Sequence, residues 1–305
     1  MVSTELLDVL FYKNIKDFLH FYKELNKKYY PNNLDEYSKQ FNFFLVKQIK
    51  IKENFINLID DYSINGKSDW QEQDAQNCDY LCHNDIINAL KNATYESGKE
   101  RFAMCQEMTE KWAMHLDDYS NAVNFNNNTN ILELATGAGL GTCAVIKNLL
   151  PDNRLISIDI DFAAAKNADG LAQYLNVADR VCGLNANFWF LPFEPGVFDT
   201  VCTHYGLDES REIQIVLKEV SKVLKENGRF VVIARKNPYD RHKNIMKMFD
   251  ISETECKPLL KKARLYSGYD DLVQLAQNYN LSLIEHKLFE PENGHHRVLY
   301  IFKKK

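Results

Sequence analysis

The stretch Ile131-Leu132-Glu133-Leu134-Ala135-Thr136-Gly137-Ala138-Gly139-Leu140-Gly141 decides the fold. An apolar run, Ile131–Leu134, reads as a strand and ends in a loop of small residues; an amphipathic segment, Thr142–Leu150, follows as a helix. Glycines at such a point let the backbone turn sharply and let a ligand approach it. The next apolar run, Leu155–Ile158, ends at Asp159, twenty residues beyond Gly139. A carboxylate at that spacing on a second strand suits the hydroxyls of a ribose.

The alternation continues downstream. Phe162–Leu175 reads as a helix, Arg180–Gly183 and Phe198–Thr203 as strands, and Glu209–Lys225 as a helix with Ile213, Val216, Leu217, Val220 and Leu224 inward. Asn227-Gly228 supplies its stop signal. Arg229–Ala234 is the next strand and Asp270–Tyr279 a helix; Leu281–Phe289 and Val298–Phe302 are strands flanking the turn Pro291-Glu292-Asn293-Gly294. Alternating strands and helices give a parallel sheet with right-handed crossovers. The short final connection makes the last two strands antiparallel. The fold class expected is α/β, a doubly wound, mostly parallel sheet with an antiparallel C-terminal hairpin, plus an N-terminal all-helical domain.

Upstream, the pattern is helical throughout. Leu7, Leu10, Phe11, Phe18, Phe21, Tyr22 and Leu25 share one face, and a second apolar run extends from Tyr37 to Ile59. Further helices are expected over Asp85–Ala93 and Phe102–Leu116. Residues 1–125 hold 14 basic and 20 acidic residues, against 23 and 22 in the remainder, so the halves differ in charge as well as periodicity. The asparagine-rich stretch Asn124–Asn130 is a turn between them. The expected division is residues 1–121, a helical cap or dimerisation domain, and residues 122–305, a ligand-binding domain interrupted near residues 237–266.

Composition narrows the class further. The 305 residues are 45% hydrophobic and 26% charged with net charge −5, a globular composition without the basic footprint of a nucleic-acid binder. No run reaches the ~18 apolar residues of a membrane helix, and the start, Met1–Leu10, carries Glu5 and Asp8 with no basic residue, unlike a secretory signal. Seven cysteines, an odd number spread from Cys78 to Cys256, fit a reducing cytoplasm. Cys78, Cys82 and His83 could share a helix face, but no second pair completes a zinc site, and no metal is expected.

The glycine loop discriminates between ligands. A dinucleotide fingerprint requires G-x-G-x-x-G directly after the strand. The set that passes, Gly139, Gly141 and Ala144, begins five residues past Leu134, and Glu133 would repel a pyrophosphate. An acid at the strand end facing a cationic group, together with a ribose acid, suits S-adenosylmethionine.

Four segments then resemble the class I S-adenosylmethionine-dependent methyltransferases, from about Asn130 to the C-terminus. They are Ile131–Gly139, with Ala135 in place of the usual first glycine; Asp159; Asn187 through Leu191-Pro192-Phe193 to Val201; and Leu217–Arg229. The resemblance implies a seven-stranded sheet and an S-adenosylmethionine (AdoMet) site. It places Glu133 near the methionine amino group, Ala135, Gly137 and Gly139 under the cofactor, Asp159 on the ribose, and Ile160 on the adenine. Asn187 would bond the adenine amino group, Phe188 would cover the ring, and Thr203 would border the site. Tyr205-Gly206-Leu207 is similar to ubiquinone/menaquinone C-methyltransferases over those three residues.

Methyl transfer from a sulfonium is an in-line displacement that chiefly needs orientation and exclusion of water. A base is required only when the acceptor must lose a proton; His204, Tyr205 and Asp208 are the candidates, with His204 either a base or a packing group. The segment 235–264 carries nine basic and four acidic residues and reads as a rim insertion or a solvated face. The acceptor expected is a small molecule, with the N-terminal helices closing the site, dimerising, or both. The competing readings are a non-catalytic binding module of the same fold and a nicotinamide oxidoreductase.

Overall fold

Along the first strand of the Rossmann-like half, Ile131 and Leu132 are both fully buried although they point to opposite faces. A strand buried on both faces needs helices on both sides, as parallel sheets do. The computed structural model describes residues 92–236 and 269–305, apart from residues 113–114, 127, 160, 190, 192, 210–212 and 293–294. The helices expected before residue 92, the cluster Cys78, Cys82 and His83, Ile160, and the basic segment from residue 237 onward lie outside the described residues.

In chain order the described elements are α1 (Tyr95–Trp112), α2 (His115–Ala122), β1 (Asn130–Leu134), α3 (Leu140–Ile146), β2 (Arg154–Asp159), α4 (Phe162–Tyr174), β3 (Val181–Asn185), β4 (Phe198–His204), a 3₁₀ turn (Gly206–Glu209), α5 (Ile213–Val223), β5 (Leu224–Arg235), α6 (Tyr269–Gln277), β6 (Leu281–Glu292) and β7 (His295–Lys304). The seven strands form one sheet in the order β3-β2-β1-β4-β5-β7-β6. β1 pairs in parallel with both β2 and β4, while β7 runs antiparallel to β5 and β6. The strand order reverses at β1, between β2 and β4, and ligands bind such sheets at the carboxyl ends of the strands at that switch point.

One face of the sheet buries Leu132, Leu134, Ile156 and Val232 against Val216, Leu217 and Val220 of α5 and Leu272 and Ala276 of α6. The opposite face buries Ile131, Leu155, Val231 and Ile301 against Leu116, Tyr119 and Ala122 of α2, Cys143 and Val145 of α3, and Leu171 and Ala172 of α4. The helices just before the Asn-rich turn therefore belong physically to the sheet's own core.

Several boundaries differ from the sequence expectation for local reasons. The helix expected over Phe102–Leu116 is two elements. The first starts earlier, at Tyr95, where Thr94 caps it: the Ser97 amide donates to Thr94 Oγ1 at 3.2 Å. Gly98 lets it close on α4, because a β-carbon there would stand 1.8 Å from the Gly170 carbonyl oxygen. Asn124 and Asn128 both take left-handed backbone, with φ of 64° and 57°, as the turn reading requires. β6 and β7 are longer than expected and stay paired up to Glu292 opposite His295, so the hairpin connection is short.

Candidate active site

The loop after β1 is held by three elements. Ala135, Gly137 and Gly139 all adopt left-handed backbone, φ 62°, 52° and 88°, so the alanine takes a conformation that disfavours a side chain by roughly 1–2 kcal/mol. Asp159, at the end of β2, accepts the Gly137 amide on Oδ2 at 2.8 Å and the Asp161 amide on Oδ1 at 2.8 Å. Asn167 of α4 donates to the Gly137 carbonyl at 2.6 Å. From α1, Arg101 donates to the Ala138 carbonyl and the Cys105 thiol faces the Gly139 carbonyl. A β-carbon on Gly137 would meet nothing within 4 Å, so this turn borders open space.

That space is a cavity of about 440 Å³ at the carboxyl edge of β1, β2 and β4. Ala135 and Gly137 line it from the loop and Asp159 from β2. Asn187, Phe188 and Trp189 line it from the segment after β3, and His204, Tyr205 and Gly206 from the end of β4. Asn187 folds this wall locally by accepting the Trp189 amide on Oδ1 at 2.9 Å.

Gly139, also expected under the cofactor, faces Leu171, Arg101 and Asn167 instead of the cavity, and two further expected site residues lie behind the wall. Glu133 is 1% exposed, and its Oε2 accepts from Thr142 Oγ1 and Ser157 Oγ, both at 2.6 Å. Burial, against the pull of those two hydroxyls and helped by the nearby Asp159 charge, raises its carboxyl from 4.5 to about 7. Thr203 is fully buried; its hydroxyl donates to the Leu134 carbonyl at 2.9 Å and accepts the Gly206 amide at 3.1 Å. It ties the turn after β4 to the loop after β1. Gly206 is required there, since a β-carbon would approach Thr203 Oγ1 to 2.4 Å and Ala135 Cβ to 2.8 Å.

Asp208, one of three base candidates, is engaged elsewhere: its Oδ2 pairs with the Arg235 guanidinium at 2.8 Å. Arg235 also lies over the Tyr205 ring, 4.8 Å from its centre. Tyr205 has φ 65°, a strained conformation of the kind that concentrates at functional sites, and burial pushes its hydroxyl up to about 12. His204 has a partner that the sequence did not announce: its Nε2 stands 3.0 Å from Nε2 of His115 in α2.

The residues 125–286 match the family model described as methyltransferase domain. The chain belongs to the class I S-adenosylmethionine-dependent methyltransferases. This methyltransferase is 32% identical over 111 residues to the demethylmenaquinone methyltransferase of Lactiplantibacillus plantarum, covering 36% of this chain and 47% of that one. It is 29% identical over 175 residues to the demethylmenaquinone methyltransferase of Lactococcus lactis subsp. lactis, covering 52% and 67%. The methyltransferase thus spans about half to two thirds of the length of these curated relatives.

Among solved structures, geranyl diphosphate C-methyltransferase from Streptomyces coelicolor A3(2) is similar in fold, with TM-score 0.50 and 14% identity over 63% of this chain and 76% of that one. The cyclase SpnF is similar to the same degree, with TM-score 0.50 and 12% identity over 62% and 79%. A cyclase on this fold shows why activity must be argued from the site.

The cofactor of the family is S-adenosyl-L-methionine, and the residues present fit it. The open turn at Gly137 leaves room for the cofactor's chain. Asp159 stands on the cavity wall beside that turn, at the end of the second strand, where a carboxylate suits the hydroxyls of a ribose. Asn187, Phe188 and Trp189 provide one amide and two aromatic faces suited to a purine.

Proposed function

We propose that this chain transfers a methyl group from AdoMet to a small, planar acceptor of the quinol type. One observation carries the proposal: a single cavity joins a ribose-binding carboxylate and an open glycine turn to an aromatic wall and the ring pair His204–Tyr205. When bound, the cofactor supplies a methyl group on a cationic sulfur. The chain's own residues orient and enclose it. Asp159 holds the ribose, and Asn187 offers its amide oxygen to the adenine amino group while keeping the Trp189 amide on its other lone pair. Phe188 covers the ring. Glu133 acts from below, as the negative charge that a cationic cofactor draws out of a buried carboxyl. Thr203, with Gly206, keeps the two loops at a fixed separation and does not itself touch the ligand.

The acceptor class rests on two supports. The relatives named above are demethylmenaquinone methyltransferases, and the acceptor end of the cavity is aromatic, with Tyr205 held under the Arg235 guanidinium. A site of this kind excludes water from the reacting carbon or oxygen and aligns it for in-line attack. We assign the protein to the cytoplasm: Cys105, Cys143 and Cys202 are free and buried, as a reducing compartment permits. Among the described residues no helix is long and apolar enough to cross a membrane.

The test is release of S-adenosylhomocysteine by the full chain with a panel of reduced quinols, catechols and non-aromatic acceptors. Turnover with the quinols, abolished when the acceptor is omitted, is the expected result. Turnover confined to non-aromatic acceptors refutes the acceptor class, and cofactor binding without turnover on any acceptor class favours a binding module.

A further inference from the structure

Two histidines from distant parts of the chain meet at the cavity. His204 ends β4 and lines the cavity; His115 begins α2. Their rings are nearly parallel, 13° apart with centres 5.3 Å apart, and the two Nε2 atoms are separated by 3.0 Å. A nitrogen–nitrogen contact at that distance holds one proton: two lone pairs would repel and two N–H groups would collide.

Both rings are neutral near pH 7. Burial lowers His204 well below its usual range, with His115, Arg297 and Arg235 opposing a further positive charge. Burial and Arg297 lower His115 from 6.5 to about 4, against the opposite pull of Asp118. The remaining neighbours do not reverse this. Tyr119 of α2 and Tyr205 face His204 with their rings, Phe289 of β6 faces His115, and the buried Glu133 carboxylate shares the Gly141 contact with His204.

The direction of the bond follows from the far side of His115. Its Nδ1 is buried and has no hydrogen-bond partner among the described residues. If His204 donated, the single proton of neutral His115 would sit on that Nδ1 as an orphaned buried N–H, the rarest kind of unsatisfied group in proteins. If His115 donates, Nδ1 carries only a lone pair.

We propose that His115 is a positioning residue that donates its Nε2–H to His204 and so locks His204 with its own proton on Nδ1. In that tautomer the nitrogen left to serve the cavity is a hydrogen-bond donor, and His204 has no basic nitrogen to offer. The site therefore selects an acceptor that arrives with an anionic oxygen beside its nucleophilic atom: the Nδ1–H holds that oxygen, whose charge is spent as the acceptor's electron pair forms the bond to the methyl carbon and the carbon–sulfur bond breaks to leave S-adenosylhomocysteine. The chemical consequence rests on the methyltransferase reading of the cavity; the tautomer does not.

Long-range ¹H–¹⁵N correlation of the histidine rings in the full chain at pH 7 tests it without any acceptor. The expected wild-type spectrum shows His204 protonated at Nδ1 and bare at Nε2. His115→Ala releases the lock, so that His204 populates both tautomers and titrates closer to the ordinary histidine value of ~6.5. His115→Gln, whose side-chain amide also donates, restores the wild-type pattern. Wild-type His204 protonated at Nε2, or an unchanged pattern in a folded His115→Ala, overturns the proposal; if that variant does not fold, the wild-type spectrum decides. With a working acceptor, turnover falls about tenfold in His115→Ala, the worth of roughly one hydrogen bond, and recovers in His115→Gln. Absence of turnover in all three proteins with the expected spectra refutes the methyltransferase reading and leaves the tautomer standing.

Discussion

Replacing Glu133 by glutamine isolates the cost of a buried charge beneath the cofactor loop. The carboxyl sits at 1% exposure with its group value raised from 4.5 to about 7. A raised value means that the folded protein holds this proton more tightly than the unfolded chain does. Between pH 4.5 and 7 the folded state binds more protons, so stability contributed by this group falls as pH rises and is lost in full above about pH 7. A difference of about 2.5 units at ~1.4 kcal/mol each makes the deficit roughly 3 kcal/mol. Glu133→Gln keeps an acceptor for Thr142 and Ser157 and removes the charge. Urea unfolding of both proteins without cofactor, at intervals from pH 4.5 to 8.5, gives the difference directly. The variant matches the wild type at the acid end and becomes more stable by up to ~3 kcal/mol at pH 8. A variant that is less stable at pH 8, or a difference that does not change with pH, refutes the burial argument. Cofactor binding shows the other side of the same charge. AdoMet is a cation, so its binding near pH 6.5 should release a proton, seen as a binding enthalpy that depends on the buffer, and Glu133→Gln should lose both the release and part of the affinity.

Asp159→Ala removes the ribose acceptor together with the bonds to the Gly137 and Asp161 amides; at ~1.5–3 kcal/mol for each charged bond, AdoMet affinity should drop at least tenfold by calorimetry. Acidification from pH 6.5 to 4 protonates His115 in the unfolded chain before the folded one, costing about 3 kcal/mol of stability in that window, and His115→Gln should remove that part of the slope in denaturant titrations. Because His204 is held neutral, its protonation should leave no inflection in the turnover rate between pH 6 and 9, and single-turnover rates across that range check this. Gly141→Ala drives a β-carbon to 2.7 Å from His204 Cβ and 2.8 Å from Glu133 Oε1, an overpacking that should cost ~1–3 kcal/mol in thermal unfolding.

The sheet was legible because its signals are local. Each strand is a short apolar run, each crossover an amphipathic segment, and the strand-end residues Ala135, Gly137, Asp159, Asn187 and Phe188 all reach the cavity as their positions in the pattern require. The β6–β7 hairpin came out longer than its apolar runs because pairing extends to Glu292 opposite His295, beyond the last apolar residue of β6, where a hydrophobic pattern is silent. Glu133 and Thr203 sit at the correct strand ends, yet as residues of β1 and β4 their side chains are buried in the body of the sheet rather than on the cavity wall, which their residue types did not announce. His115 was invisible for a different reason. Its partner is 89 residues away, and the packing of α2 against β5 and β7 brings the two rings together. Trp189 was missed beside Phe188, although a second aromatic in a turn next to a purine-binding position was a usable signal. Residues 1–91, read as helical, lie outside the described residues, and α1 and α2 show that the segment nearest the sheet is part of its core.

The central claim is that the cavity at the β1 switch point is an AdoMet site. Equilibrium calorimetry of the full chain with AdoMet, S-adenosylhomocysteine and NAD, in the wild type and in Asp159→Ala, tests it most directly. The account predicts saturable binding of both adenosyl compounds, no comparable binding of NAD, and at least a tenfold loss of AdoMet affinity in the variant. Preference for NAD, or AdoMet binding that is indifferent to Asp159, would contradict it.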